Sequence, residues 1–266
     1  SSIAKSNDRS DLLPSLSLRS ELTPQATLRA GISRSMVRAG FNQLSPSTLV
    51  EDNAALRGNP DLKPLKSNNI DVSLQHLLGR NGAVTLSLYR KSIKNYTYLS
   101  NLGEREGYDE LLTYKNGDTG KISGFELGVV HRFVGLPSPW NRFLVSANTS
   151  VSTGSATLSS VDDGKLVERQ VRFPGHAKRS SNLVLGYEYG GLSTRLAYQH
   201  RSDYLLEITE DFLAPEKDLF VAPSKHVDAS VYYRVAPRFT IGIEGINLTN
   251  QAYYVHQGSK IYNAQY

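Results

Sequence analysis

The chain has 266 residues, 30 basic against 25 acidic side chains, a formal charge of +5 and no cysteine. That length accommodates one or two ordinary domains with a sizeable core, and the missing thiols exclude a disulfide framework and a thiolate metal site. The charge is mild and no run of lysines or arginines forms a basic arm, so no nucleic-acid partner is expected.

Mean hydropathy is −0.36, and no stretch approaches the roughly 18 uninterrupted apolar residues of a spanning helix. A membrane β-barrel escapes both tests, because its lipid-facing and lumen-facing side chains alternate and average out. The opening "SSIAKSNDRS" has no initiator methionine and no apolar signal core, and reads as the continuation of a longer chain.

Helical periodicity is nearly absent, while period-two alternation recurs with β-branched and aromatic enrichment. The first two strands are expected at Ser15–Leu22 and Ala26–Ser35, joined by Thr23-Pro24-Gln25. Ser67–Leu78 and Ala83–Asn95 follow around Gly79-Arg80-Asn81-Gly82, then Gly120–Phe133 and Arg142–Ser152 around "VGLPSPWN". Ser180–Tyr189 and Leu192–Arg201 turn at Gly190-Gly191, and His226–Val235 and Arg238–Asn247 at Ala236-Pro237. Between these hairpins lie long polar stretches, Met36–Lys66, Tyr96–Thr119, Thr153–Lys178 and Ser202–Lys225. Compact soluble domains seldom carry one loop beyond about 15 residues. Short turns alternating with long loops are the asymmetry of an antiparallel, up-and-down transmembrane β-barrel, so the expected class is all-β.

The strand faces agree. Phe125, Leu127 and Val129 oppose Glu126 and Gly128; Leu183, Leu185 and Tyr187 oppose Asn182, Gly186 and Glu188. Val227, Ala229 and Val231 oppose Asp228 and Ser230, and Ile241 and Ile243 oppose Gly242 and Glu244. A β-sandwich also alternates, but its polar face meets bulk water and favours lysine; here acids, arginines, Asn, Ser and Gly dominate. Trp140, Tyr187, Tyr189 and Tyr233 sit where an interfacial girdle falls.

The sequence carries no recognisable catalytic or cofactor motif. "NGDTGK" fails the phosphate-loop pattern at Lys115 and Ile122. The six histidines have no ligand spacing, and "VDDGK" at 161–165 lacks the spaced oxygens of a calcium loop. No nucleophile elbow occurs. Neither an enzyme activity nor a metal or other cofactor is expected.

Several stretches resemble a TonB-dependent outer-membrane receptor: "LLPSLSLRSELTPQATLRAGISRSMVRAGFNQLSP", "GNPDLKP", "VTLSLYRKSIKNY", "KISGFELGV", "LAYQHRSDYL" and "IEGINLTNQAYYVHQG". The likeness runs in order over nearly the whole chain. It departs at Arg38-Ala39, where the family has an arginine-proline pair, and at "IYNAQY", where the family continues into a final strand. The resemblance implies that residues 1–266 are the C-terminal part of the barrel, about ten strands of a larger one, with plug, early strands and final strand lying elsewhere. Outer-membrane transporters of 22 strands fill their lumen with such a plug.

It further implies a bacterial outer-membrane receptor that catches a scarce nutrient with its extracellular loops and imports it with energy from TonB. The TonB complex would be reached through the N-terminal part. The other expected partners are the plug, outer-membrane lipid and lipopolysaccharide, a small nutrient (siderophore, glycan or peptide) and a surface lipoprotein. Glu126, Asp228, Glu244, Arg195 and Asn182 are expected to face the plug. Tyr96, Tyr98, Tyr108 and Tyr114, clustered in one loop, and Arg201 and Asp203 at the upper rim are the ligand candidates. Other readings are a passive porin with an open channel and a secreted β-rich binding module. In the importer reading, Gly58–Pro64 stiffens a loop just before a strand returns to the membrane, because proline fixes its own φ and restricts the residue before it.

Overall fold

The structure, a computed structural model, describes residues 10–162, 165–209, 214–258 and 260–265. Most of the "VDDGK" stretch falls outside what is described there, or in side chains that are not.

Strands β1 (Ser15–Thr23) and β2 (Ala26–Val37) form the first hairpin, its turn held by the Thr23 hydroxyl accepting from the amides of Gln25 and Ala26. The long connection after it holds a helical turn, Phe41–Leu44, and a small hairpin, β3 (Thr48–Glu51) and β4 (Ala54–Arg57). The wall resumes with β5 (Leu65–Leu77) and β6 (Gly82–Lys94), and the next connection contributes β7 (Thr97–Asn101) and β8 (Glu110–Asn116). Then come β9 (Thr119–Arg132) and β10 (Phe143–Asp162), whose upper half pairs back with β11 (Lys165–Arg172). A third hairpin unit, β12 (Arg179–Tyr189) and β13 (Leu192–Arg201), leads to β14 (Tyr204–Thr209) and β15 (Leu219–Val221). Strands β16 (Ser224–Ala236) and β17 (Phe239–Gly245) complete the wall, and β18 (Tyr253–Gln257) and β19 (Lys260–Gln265) follow.

All ten expected strands are present, antiparallel and in chain order across one sheet: β1, β2, β5, β6, β9, β10, β12, β13, β16, β17. This is the connectivity of a barrel wall, left open at β1 and β17 in this stretch of chain. One boundary moves substantially: the strand expected to stop at Ser152 continues to Asp162 and rises beyond its neighbours as a tall hairpin. A larger correction concerns the connections. They are folded into a second, eight-stranded sheet of order β19, β18, β15, β14, β7, β8, β4, β3. Two of its seams are parallel and join different connections: β14 pairs β7 through Ile208 and Ser100, and β4 pairs β8 from Ala54 to Arg57.

The core lies among these connections rather than in the wall. Tyr96, Tyr98, Leu158, Leu205 and Ile208 are buried together with Ile93. On the wall, Leu18, Leu88, Leu196, Ile241 and Ile243 stay exposed, Ile243 at 75%. Exposed apolar patches of this extent on one face mark a membrane or partner surface. At the short-turn rim Trp140 stacks on Phe143 at 5.8 Å and Phe143 meets Tyr187 edge-on at 4.9 Å, an aromatic cluster on the outward face.

Gly58–Pro64 behaves as a clamp. Asn116 donates to the Lys63 carbonyl at 3.0 Å and accepts from the Lys63 amide at 2.7 Å, while Asn59 donates to the Tyr114 carbonyl. Gly58 is required by close approach: a Cβ there would lie 2.2 Å from the Ser45 carbonyl oxygen.

Candidate functional site

Period-two geometry places one set of side chains on the inward face, and register arranges them in rows. Ser73, Ser87, Glu126, Ser150, Ser180 and Arg201 share one row from β5 to β13. Thr85, Gly128, Asn148, Asn182 and Gln199 share the next, with Asn182 donating to Asn148 at 2.9 Å. Towards the short turns Glu188 accepts from Arg132 at 3.0 Å and from Arg195. One carboxylate between two guanidiniums leaves this group of three with one positive charge in excess. Tyr232 donates its hydroxyl proton to Glu244, and Asp228 accepts from the Asn247 amide at 2.7 Å.

A cavity of about 370 Å³ opens on the same face, lined by Asp71, Ser87, Tyr89, Lys91, Glu126 and His176. His176 descends from the connection after β11, its Nε2 lying 2.9 Å from the Ser152 hydroxyl. Burial and the neighbouring Arg172 hold its imidazole below the usual value, which favours the neutral ring. The five residues expected to face the plug therefore lie on one face, four of them in separate hydrogen-bonding groups and Glu126 beside the cavity.

The ligand candidates are more scattered. Tyr96 and Tyr98, with ring centroids 6.0 Å apart, lie inside the core of the loop sheet, and the Tyr96 hydroxyl donates to the Thr157 carbonyl at 3.0 Å. Burial raises the Tyr96 phenol well above its ordinary value. Gly117 makes room for this ring: a Cβ there would lie 2.0 Å from Tyr96 Cζ. Tyr114 lies in β8 opposite Leu99, and Tyr108 sits in a tight bridge with Arg105. Arg201 lies over the Tyr204 ring at 4.8 Å. Asp203 accepts from Arg172, which also donates to the Asp203 carbonyl.

Beside these stands a buried polar group that the sequence did not single out. Asp218 accepts from Arg169 and from the Thr209 amide. Glu207 is pushed up to about 7 by burial and by the charge of Glu110. In sequence these acids sit in short, irregular segments with no periodic signal, and their partners come from other connections.

The sequence matches the family model described as "TonB dependent receptor-like, beta-barrel" over residues 2–248. The chain belongs to this family. TonB-dependent receptors of this kind are outer-membrane receptors and transporters. No curated protein matches the chain.

Among solved structures, the copper transporter OprC is 19% identical, with a TM-score of 0.63, covering 94% of this chain and 36% of its own. The ferric-catecholate import receptor Fiu of E. coli K12 gives 0.61 at 18% identity, covering 90% of this chain and 31% of its own. The ferric enterobactin receptor of Pseudomonas aeruginosa gives 0.59 at 18% identity, covering 90% and 35%. Such likenesses establish the TonB-dependent receptor fold. This chain spans about a third of the length of each.

Proposed function

We propose that the chain supplies barrel wall and extracellular connections to an outer-membrane receptor that binds a scarce nutrient and imports it with energy transmitted by TonB. The observation that carries this reading is the division of one sheet into an apolar outward face and a polar, ion-paired inward face, capped on one side by a folded loop sheet. The Arg132, Glu188 and Arg195 group, with charges of both signs beside Glu126, Asp228 and Glu244, suits a wall that pairs with a folded polar surface within.

In this reading Glu126, Asn182, Arg195, Asp228 and Glu244 face the plug, and residues 1–266 form the C-terminal part of the barrel, its free edges at β1 and β17 paired with the remaining strands. Edges left open are not tolerated in a bilayer. Tyr108, Tyr114, Arg201 and Asp203 lie towards the ligand, while Tyr96 and Tyr98 hold the shape of the loop sheet beneath them. The solved relatives named for ferric catecholates and copper make metal chelates the first nutrients to test.

The experiment is uptake of radiolabelled ferric catecholate and copper chelates by cells carrying or lacking the full-length gene, with TonB present or depleted. Uptake that needs both the gene and TonB is expected for at least one chelate. Uptake that survives TonB depletion, together with steady large conductance of the purified protein in a planar bilayer, overturns the reading in favour of a passive porin.

A further inference from the structure

The loop sheet stops at β3 with half of that strand's backbone groups unused. Strands β3 and β4 turn through Asp52 and Asn53, both at positive φ, 46° and 66°, the conformation of a two-residue hairpin turn. In such a hairpin Glu51 and Ala54 exchange both backbone hydrogen bonds, and Leu49 and Leu56 form the next such pair. The amides and carbonyls of Thr48 and Val50 therefore point away from β4, along the outer edge of the sheet. That edge reads Thr-Leu-Val-Glu, without the proline, lysine or bulge that discourages pairing.

The side chains end just as abruptly. Register sets Val50 beside Ala55, and Ala55 beside Leu111, on one face. Leu111 and Ala55 are 2% and 1% exposed, whereas Val50 at the end of the row is 54% exposed. On the opposite face Leu49, beside Leu56, is 68% exposed. One more strand would cover Val50 and Leu49 and satisfy the outward backbone groups together.

The order of the sheet says where that strand comes from. Its connections follow the order of the wall: β3 and β4 lie between β2 and β5, β8 and β7 between β6 and β9, and β14 and β15 between β13 and β16. The β3 edge is thus the end on the β1 side. The connection that runs into β1 descends there. Pro14 accepts at its carbonyl from the Arg34 amide at 2.9 Å, and Asp11 is held by Lys66 at the start of β5, just past the Gly58–Pro64 clamp. The chain spans about a third of the length of its solved relatives, and the reading above places further wall strands beyond β1.

We infer that in the whole receptor the outer edge of β3 is paired by an extended segment of the connection that runs into β1, N-terminal to residue 1. The inference rests on the reading of residues 1–266 as the C-terminal part of the barrel. It gives the loop sheet a ninth strand and carries the cover across the free edge of the wall. An outside peptide would fit the same edge, but Asp11 and Pro14 already bring this connection to the tops of β2 and β5, the strands that β3 and β4 link.

The test is amide hydrogen exchange, resolved to single residues, on the full-length receptor purified in detergent. A free edge gives β3 an alternating pattern, with Leu49 and Glu51 slow and Thr48 and Val50 exchanging as in an open chain. Pairing makes all four slow, Thr48 and Val50 by on the order of tenfold or more. Val50→Pro removes one outward donor, a change that an edge strand tolerates. It should speed exchange by a similar factor in one segment N-terminal to residue 1, while β4 and β8 keep their protection.

Fast exchange at Thr48 and Val50 overturns the inference, and this wild-type pattern decides the matter even where the proline variant disturbs the hairpin. Protection that fades on dilution assigns the edge to a second copy, and protection with no upstream response to Val50→Pro assigns it to another occupant; either result overturns it too. Import assays keep the two readings apart. A receptor that imports through TonB with a free β3 edge loses only this inference, and one with a paired edge that does not import loses only the proposed transport.

Discussion

Burial keeps Glu207 protonated into the neutral range, and this gives the loop sheet a pH dependence of defined sign. Its folded value of about 7 lies above the ordinary 4.5. Near or below the ordinary value the carboxyl is protonated whether β14 is docked or not, and docking carries no ionisation cost. As pH rises towards the folded value the undocked form ionises first, so docking weakens progressively and the stabilisation is lost. Asp218, also raised by burial though opposed by Arg169, works in the same direction. Amide hydrogen exchange, corrected for intrinsic rate, should therefore show greater protection of β14 at about pH 5 than at about pH 8, and Glu207→Gln should flatten the difference. Glu207 and Glu110 come from different connections, and their proximity depends on the parallel seam between β14 and β7.

The outward and inward faces make a second residue-scale prediction. Leu185 pairs with Leu196 on the apolar face, whereas Gln199 pairs with Asn182 on the polar one. Leu185→Arg should cost roughly 2–4 kcal/mol if it lies at the bilayer midplane. Gln199→Arg, beside other polar groups, should stay within about 0.5 kcal/mol. Reversible unfolding of the full-length receptor in phospholipid vesicles measures both, and equal costs would refute the assignment of faces.

At the level of elements, Tyr96 ties β7 to the tall hairpin. Its ring meets Phe173 at 5.1 Å, and its hydroxyl reaches the Thr157 carbonyl on β10. Tyr96→Ala should cost about 3–5 kcal/mol of local stability by emptying a packed site. Tyr96→Phe should cost about 1 kcal/mol, the share of one hydrogen bond. Exchange protection confined to β7, β10 and β14 reads out both, and a loss spread evenly over the wall would contradict a local role.

These elements also show what sequence could and could not disclose. The wall strands were legible because each is long enough to repeat its period-two pattern, and because one slip of register would turn its apolar side chains into the lumen. That Glu126, Asn182, Arg195, Asp228 and Glu244 share one polar face followed from the same parity. Strands β3, β4, β7, β14 and β15 are too short to show a period. Their stability comes from Leu111, Leu205, Ile208 and Val221, buried by neighbours distant in the chain. For the same reason Tyr96 and Tyr98 stood out by composition, while their burial depended on contacts that no local pattern encodes.

On the scale of the molecule, the lack of cysteine in these 266 residues makes the two-sided wall testable once any cysteine in the rest of the receptor is replaced by serine. A single cysteine placed at Asn182 in the full-length receptor should react with a water-soluble thiol reagent once the lumen is opened to solvent. One at Leu185 should react only with a lipid-soluble reagent. Reaction of both with the aqueous reagent in intact membranes would refute lipid contact along β12. Arg90 and Lys94 above Leu88 on β6, and Lys121 above Phe125 on β9, extend this division upward, so that the apolar face ends in a basic belt.

The parallel seams between β7 and β14 and between β4 and β8 have a mechanical consequence. Segments far apart along the backbone are zipped edge to edge, and lifting one would strip hydrogen bonds from the next. The loop sheet should therefore resist being lifted one connection at a time.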